Sequence, residues 1–289
     1  MQNAEYLESF VDYLKEEEKS NSTIQGYAAD VKHFMATLNK SITEIEKADV
    51  NAYKLELIMV KKLSLLSINR KMVSLRQFIE FLNDRFQLSL HSKIKQEKIQ
   101  KQYSLNDEEL LSVEDYSQLM AAVEDAGDLR TKAMFEAMYF SGMRVSEMLQ
   151  LRMDHVQVSA KVINDIRGKG GKYRDIFIST RLLQSLQQYL EVRKPPYSST
   201  TNQLFVGQRG PVTRQTVHNL MKHYAGKAGI PESKAHAHNL RHLFGLRLAA
   251  KGVPIQDIAK YMGHTSIEVT KIYTEKPRSY YAETIDQLV

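Results

Sequence analysis

Val162-Ile163-Asn164-Asp165-Ile166-Arg167-Gly168-Lys169-Gly170-Gly171-Lys172-Tyr173-Arg174-Asp175-Ile176-Phe177-Ile178 lies where the chain changes period. Up to Leu151 the apolar residues recur every three or four positions, as on one face of a helix. Here they fall into short runs: Val156 and Val158, Val162 and Ile163, then Ile176, Phe177 and Ile178. Such runs predict short strands. Gly168-Lys169-Gly170-Gly171-Lys172 sits between two of them and predicts a turn. Helical spacing returns near Thr180, from Thr213 and from His238 onward, with Pro195-Pro196 and the polar run at 198–201 marking a surface loop. The expected fold class is mainly α with a small β-sheet.

Toward the N-terminus the pattern is helical throughout. Leu7, Phe10, Val11 and Leu14 make one apolar stripe, and Ile24, Tyr27, Ala28, Val31, Phe34, Met35 and Leu38 make a second, with Ser22 or Thr23 as its N-cap. A third helix is expected over 49–60. A fourth carries Ile68, Met72, Leu75, Phe78, Ile79 and Leu82, with Ser67 near its start and Arg70, Lys71 and Arg76 on its flank. Four such helices predict a small bundle over 1–90. Residues 91–107 hold Lys93, Lys95, Lys98 and Lys101 with few large apolar groups, so they predict an exposed basic linker. A second domain then fills 108–289. It opens on Ser112-Val113-Glu114-Asp115, a capping box with Asp in place of Glu. Helical spacing runs from there to Phe140, Ser141-Gly142 interrupts it, and a short helix is expected over 145–151.

Composition narrows the chemistry. The chain has 289 residues, 43% of them hydrophobic and 26% charged, as expected of a folded protein of about two domains. It has no Cys, which excludes disulfides, thiolate metal sites and Cys nucleophiles. No apolar run approaches a membrane span, and the N-terminus does not read as a signal peptide, so a soluble intracellular protein is expected. Its net charge is +6, but unevenly spread: −5 over 1–50, +6 over 51–100, −6 over 101–150 and +11 over 151–250. Two basic blocks suggest two positive surfaces on a polyanion, the alternative being an uneven solvated surface.

Several residues carry chemical potential. Arg144 and Glu147, three apart, share a helical face; alone they fit an ordinary ion pair. His238 and Arg241 are also three apart, at a helix start where an anion is welcome. Lys169 stands at the tip of the glycine-rich turn, which lacks the frame of a P-loop. Gly263-His264 precedes Tyr273 by a short interval. Nothing in the Asp and His spacing suggests a metal site. Two guanidiniums, an ammonium, two imidazoles and a phenol suit metal-free phosphoryl transfer, with Arg matching phosphate and Tyr as nucleophile.

At these residues the sequence resembles the tyrosine recombinase, or phage integrase, superfamily, and within it the Xer-like branch. Residues 141–149 are similar to the box around its first catalytic arginine, and 168–174 to its β-hairpin lysine motif. His238-Asn239-Leu240-Arg241-His242 matches its HxLRH signature, and 262–274 its GH box and nucleophile. The resemblance implies an N-terminal helical core-binding (SAM-like) bundle, joined by the linker to an α/β tyrosine-recombinase catalytic domain. It implies catalytic roles for Arg144, Lys169, His238, Arg241, His264 and Tyr273, with Glu147 orienting Arg144. Tyr273 would attack a DNA phosphate to give a 3′-phosphotyrosyl intermediate. Arg144 and Arg241 would hold the non-bridging oxygens, and Lys169 would protonate the leaving 5′-oxygen. His238 would act as acid and base near Tyr273, and His264 would bind the phosphate. Arg70, Lys71, Arg76, Lys93, Lys95, Lys98, Lys172, Arg174 and Arg214 are the candidate DNA contacts. No cofactor and no metal are implied. The partners implied are a double-stranded recombination site and either a homo-tetramer, exchanging residues 277–289, or a paired recombinase, in the cytoplasm at the nucleoid. The absence of an arm-binding domain before the bundle fits the Xer-like branch. Chromosome-dimer resolution and mobile-element integration or excision both stay open, as do type IB topoisomerase-like relaxation and a non-catalytic DNA-binding regulator.

Overall fold

The computed structural model describes residues 2–97, 107–157, 161–168, 172–197 and 200–274. Lys98, Lys101, Val158, Lys169 and the segment 277–289 lie outside the described residues. The chain divides into two compact units, residues 1–101 and 102–289.

The first unit is built on four helices: α1 (Asn3–Glu16), α2 (Asn21–Met35), α3 (Lys47–Met59) and α4 (Leu65–Phe86). Two of them start earlier than the spacing suggested. Ser20, not Ser22 or Thr23, caps α2 by accepting the Thr23 N–H, and Ser64 caps α4 by accepting that of Ser67. The apolar stripes meet in one core, where Phe10, Leu14, Phe34, Leu57, Met72 and Phe78 are fully buried. Asp30 of α2 is buried too. It accepts from Arg70 and Ser74 and pairs with Lys71, all on α4, so the charge is compensated where it leaves water. Residues 88–97 have no regular structure but are held to this unit. Asn83 bonds both backbone groups of Leu90, Asn69 does the same for Glu97, and Ile94 is buried in the core.

The second unit holds α5 (Val113–Asp125), α6 (Leu129–Ser141), α7 (Val145–Met148), α8 (Met153–Gln157), β1 (Val162–Arg167) and β2 (Tyr173–Phe177). There follow α9 (Thr180–Val192), β3 (Val206–Gly207), β4 (Gly210–Pro211), α10 (Arg214–Lys227), α11 (Ala237–Ala250) and α12 (Ile255–Met262). From Ala133 to Tyr139 helix α6 is buried on every side, Glu136 included, because it is the centre, packed by α5, α9 and α11. The single helix read over 112–140 is two: Gly127 takes a left-handed φ after α5, and Asp128 caps α6 through the Thr131 N–H. Val156 is not in a strand. It lies in α8, fully buried, and a spacing of two residues was too short to separate the two periods.

The β1–β2 pair is antiparallel, with Ile163 facing Ile176 and Ile166 facing Arg174. One extra residue on β1, where Asp165 has φ 57°, makes a bulge. The bulge lets both Ile163 and Ile166 point inward, although three residues apart. On β2, Arg174 shares the inward face with buried Ile176. The short pair β3–β4 was not legible in the sequence, being two residues per strand. After α12, two short 3-10 turns, Ile267–Val269 and Lys271–Tyr273, lead to Tyr273.

Candidate active site

The site is organised on one carboxylate. Helix α6 ends at Gly142, in a left-handed conformation that turns the chain so that Arg144 caps α7. Glu147, three residues on, is 0% exposed. Its Oε2 accepts the Arg144 backbone N–H at 2.7 Å, and its Oε1 accepts Arg144 Nη1 at 2.8 Å. Arg174 reaches it from β2, donating Nη2 to Oε2 at 2.8 Å and Nε to Oε1 at 3.2 Å. Arg241 Nη1 lies 3.8 Å from Oε2. Burial pushes the Glu147 carboxyl up, but the hydrogen bonds and charge of Arg174, with Arg144, outweigh it and hold the pKa below the usual value.

Three guanidiniums around one carboxylate leave two positive charges over. Backbone carbonyls steady them. Arg241, only 1% exposed, donates to Gly142 O and Met262 O. Arg144 donates to Gly263 O at 3.1 Å, and Arg174 to Tyr261 O at 2.8 Å. All four acceptors lie at the C-terminal ends of α6 and α12, where helix dipoles favour cations. Burial and the nearby Arg144 bring the Arg241 pKa down to about 9, still charged at neutral pH. Such a surplus, in preorganised forks, is a receptor for an oxyanion such as phosphate.

Helix α11 supplies the rest. His238, Arg241, His242 and Gly245 follow the i, i+3, i+4, i+7 spacing of one face. Tyr273 is 6% exposed, and its hydroxyl is hydrogen-bonded to His242 Nδ1 at 2.9 Å. Its ring lies flush on the helix at Gly245, where a Cβ would come within 2.8 Å of the ring. The His238 ring meets His242 edge-on, centroids 4.5 Å apart. The His264 ring stacks parallel to Tyr273 at 6.2 Å, and its Nδ1 bonds the hydroxyl of buried Thr270 at 2.9 Å. Burial raises the Tyr273 phenol to about 12, against the pull of Arg241 and Arg144. Burial also lowers His242, helped by His238, Arg241 and His264, and lowers His264, helped by Arg241, Arg144, Arg174 and His238, each to about 4. His238 shifts down for the same reason, with Arg241 and Arg144 adding to it.

These shifts fix a pH response. A histidine whose folded pKa lies below its ordinary 6.5 keeps its full contribution above that value. As pH falls toward 4 the unfolded chain takes up protons that the folded chain refuses, so stability drops. Each imidazole accounts for up to about 3 kcal/mol over that window, reduced by its partial exposure. Urea melts at pH 7.5 and 5 are expected to show the loss, and His264→Asn to lessen it.

Arg144, Glu147, His238, Arg241, His264 and Tyr273 are thus brought together. Beside them opens a cleft of about 700 Å³ lined by Arg144, Lys172, Tyr173, Arg174, His264 and Thr265. Lys169 is outside the described residues, but its hairpin is closed by Gly168 N–H donating to Lys172 O at 2.7 Å, and both flanks line the cleft. Some candidate DNA contacts also have partners within the protein. Arg174 turns inward to Glu147 because the strand face demands it. Arg70 and Lys71 are engaged by Asp30, and Arg76 lies 3.9 Å from Glu80. Lys93 and Lys95 are exposed and border a smaller cleft of about 280 Å³ with Lys47, Lys54 and His91. Lys172 and Arg214 are exposed, the latter in the first turn of α10. Sequence reasoning missed His242 and Thr270. The signal for His242 was its place four residues after His238, one helical turn along the same face.

Comparison with known proteins gives the family of the chain. Residues 109–279 match the phage integrase family, and residues 7–85 match the phage integrase N-terminal SAM-like domain. The tyrosine recombinase XerC of Leptospira interrogans (serovar copenhageni) is 30% identical over 283 residues, covering 93% of this chain and 88% of its own. The tyrosine recombinase XerA of Pyrococcus horikoshii is 30% identical over 298 residues, covering 99% and 94%. A crystal structure of XerA recombinase aligns with TM-score 0.53 at 27% identity, over 99% of this chain and 98% of that one. The fold is also that of XerH site-specific recombinase bound to palindromic difH substrate, with TM-score 0.71 at 20% identity, over 91% and 79%. The chain belongs to the phage integrase family, among its Xer-like tyrosine recombinases.

Proposed function

We propose that the protein is a site-specific DNA recombinase that cleaves and rejoins strands through a 3′-phosphotyrosyl intermediate. The observation that supports it most is the meeting of a buried phenol, Tyr273, with a guanidinium cluster carrying surplus positive charge. Likeness of fold to XerH, recorded with its difH substrate, supports DNA as the partner. In this reading Arg144 and Arg241 hold the non-bridging oxygens of the scissile phosphate, and Glu147 fixes their orientation. Tyr273 attacks in line, His238 serves as acid and base near it, His264 binds the phosphate, and Lys169 protonates the departing 5′-oxygen. The phosphotyrosyl bond conserves the energy of the phosphodiester, so a partner strand's 5′-hydroxyl reverses the step without ATP, and the arginines supply charge that a metal supplies elsewhere. Residues 1–90 and 108–289 each offer DNA a face, joined through 91–107. Arg70, Lys71, Arg76, Lys93, Lys95, Lys98, Lys172, Arg174 and Arg214 are the candidate DNA contacts of this reading, with Arg70, Lys93, Lys95, Lys172 and Arg214 exposed. A tetramer exchanging residues 277–289, acting in the cytoplasm at the nucleoid, completes the proposal.

The test begins with DNA fragments retained by the protein from a library of the source genome. Two copies of a retained site in one plasmid are expected to exchange in EDTA without nucleotide. Relaxation of a plasmid lacking the site, with no exchange, would instead favour a type IB topoisomerase. Binding with neither reaction would leave a non-catalytic regulator.

A further inference from the structure

We infer that His242 is the base that takes the Tyr273 proton as the phenol attacks the scissile phosphate. This rests on the reading of Tyr273 as nucleophile, and it moves the base from His238 to its neighbour. The geometry separates the three imidazoles. His242 Nδ1 is on the phenol oxygen at 2.9 Å, within the reach required of a base. His238 meets the His242 ring edge-on rather than the phenol. His264 has its Nδ1 engaged by Thr270 and offers Tyr273 a parallel ring face. Gly245, one turn after His242, leaves space for the ring to lie flat on α11, and this brings the hydroxyl to that nitrogen.

The step balances. The Tyr273 Oη–H bond breaks and the proton passes to His242 Nδ1, while Oη–P forms and P–O5′ breaks. The electron pair leaves on the 5′-oxygen, which takes its proton from the separate acid proposed above. His242 becomes an imidazolium and returns the proton to Tyr273 when a 5′-hydroxyl attacks the phosphotyrosine. Burial and the surrounding His238, Arg241 and His264 keep His242 neutral at pH 7, and in the tautomer with its proton on Nε2 the Nδ1 accepts from the phenol. In the resting protein the phenol is far too weak an acid to give up its proton. Transfer becomes downhill only as Oη bonds to phosphorus, which makes the aryl oxygen strongly acidic. Proton transfer is therefore coupled to attack, and no free phenolate accumulates.

A scissile phosphate with sulfur in place of the 5′-bridging oxygen tests this, because a thiolate leaves without an acid. Covalent adduct formation on that substrate reports activation of Tyr273 alone. His242→Ala is expected to slow it by about 10²-fold on both the oxygen and sulfur substrates. His242→Asn places an amide oxygen near the Nδ1 position, so it still holds the hydroxyl but cannot take a proton. It is expected to melt and bind DNA like the wild type and to cleave as slowly as the Ala variant. The inference is overturned if His242→Asn cleaves at the wild-type rate, or if sulfur restores His242→Ala, which would put His242 at the leaving group. Should His242→Ala not fold, His242→Asn decides alone. An absent wild-type adduct, or one not on Tyr273, would instead overturn the function proposed above.

Discussion

Arg241→Ala is expected to lower DNA cleavage by about 10³-fold, roughly 4 kcal/mol of transition-state stabilisation. The size follows from where the guanidinium sits. It is 1% exposed and fixed by Gly142 O and Met262 O, so it needs no reorganisation to meet an oxyanion. Truncation also leaves two buried carbonyls and one side of Glu147 without their cation, which costs stability by about 3–5 kcal/mol for a buried pair. Relief of its repulsion with Arg144 and Arg174 offsets part of that. Cleavage is therefore compared below the variant's melting temperature, beside its DNA affinity. Arg241→Lys keeps the charge but not the fork, and is expected to recover binding before cleavage. Near-normal cleavage by Arg241→Ala would contradict its assigned place on the phosphate.

Much of this site was legible because its residues lie at helical spacings within short stretches. His238 and Arg241 share a face of α11, and Glu147 stands three residues after Arg144, the cap of α7, so local spacing alone brings each pair together. What was not legible depends on contacts across long intervals. Arg174 read as a DNA contact because nothing local announces the β-bulge at Asp165, or the carboxylate on α7 that Arg174 meets across 27 residues. The bond from His242 to Tyr273 spans 31 residues and needs the gap at Gly245. In the fold, the helical bundle followed from its stripes, whereas the division of α5 from α6 was missed. Its signal was present: Gly127-Asp128 is a helix stop followed by a cap, but apolar residues on both sides kept the period running.

Tyr273→Phe has the larger expected effect, because it removes the nucleophile itself. The phenyl ring keeps its seat against Gly245 and beside His264, and only the hydrogen bond to His242 is lost. Stability is expected to change by about 1 kcal/mol, as for one hydrogen bond. DNA affinity is expected to stay near that of the wild type, while covalent cleavage falls to background. Loss of activity with fold and binding intact separates a reacting atom from a packing one, a distinction that matters in a chain with 15 tyrosines.

The most direct measurement is the identity of the covalent link. The protein is trapped on a nicked recombination site and the complex digested, and the DNA-bearing peptide is then sequenced. The account predicts one peptide, joined through Tyr273 to a 3′-phosphate, with a free 5′-hydroxyl on the other strand end and no such peptide from Tyr273→Phe. A link through another residue, a 5′-phosphate link, or the same adduct from Tyr273→Phe would contradict it.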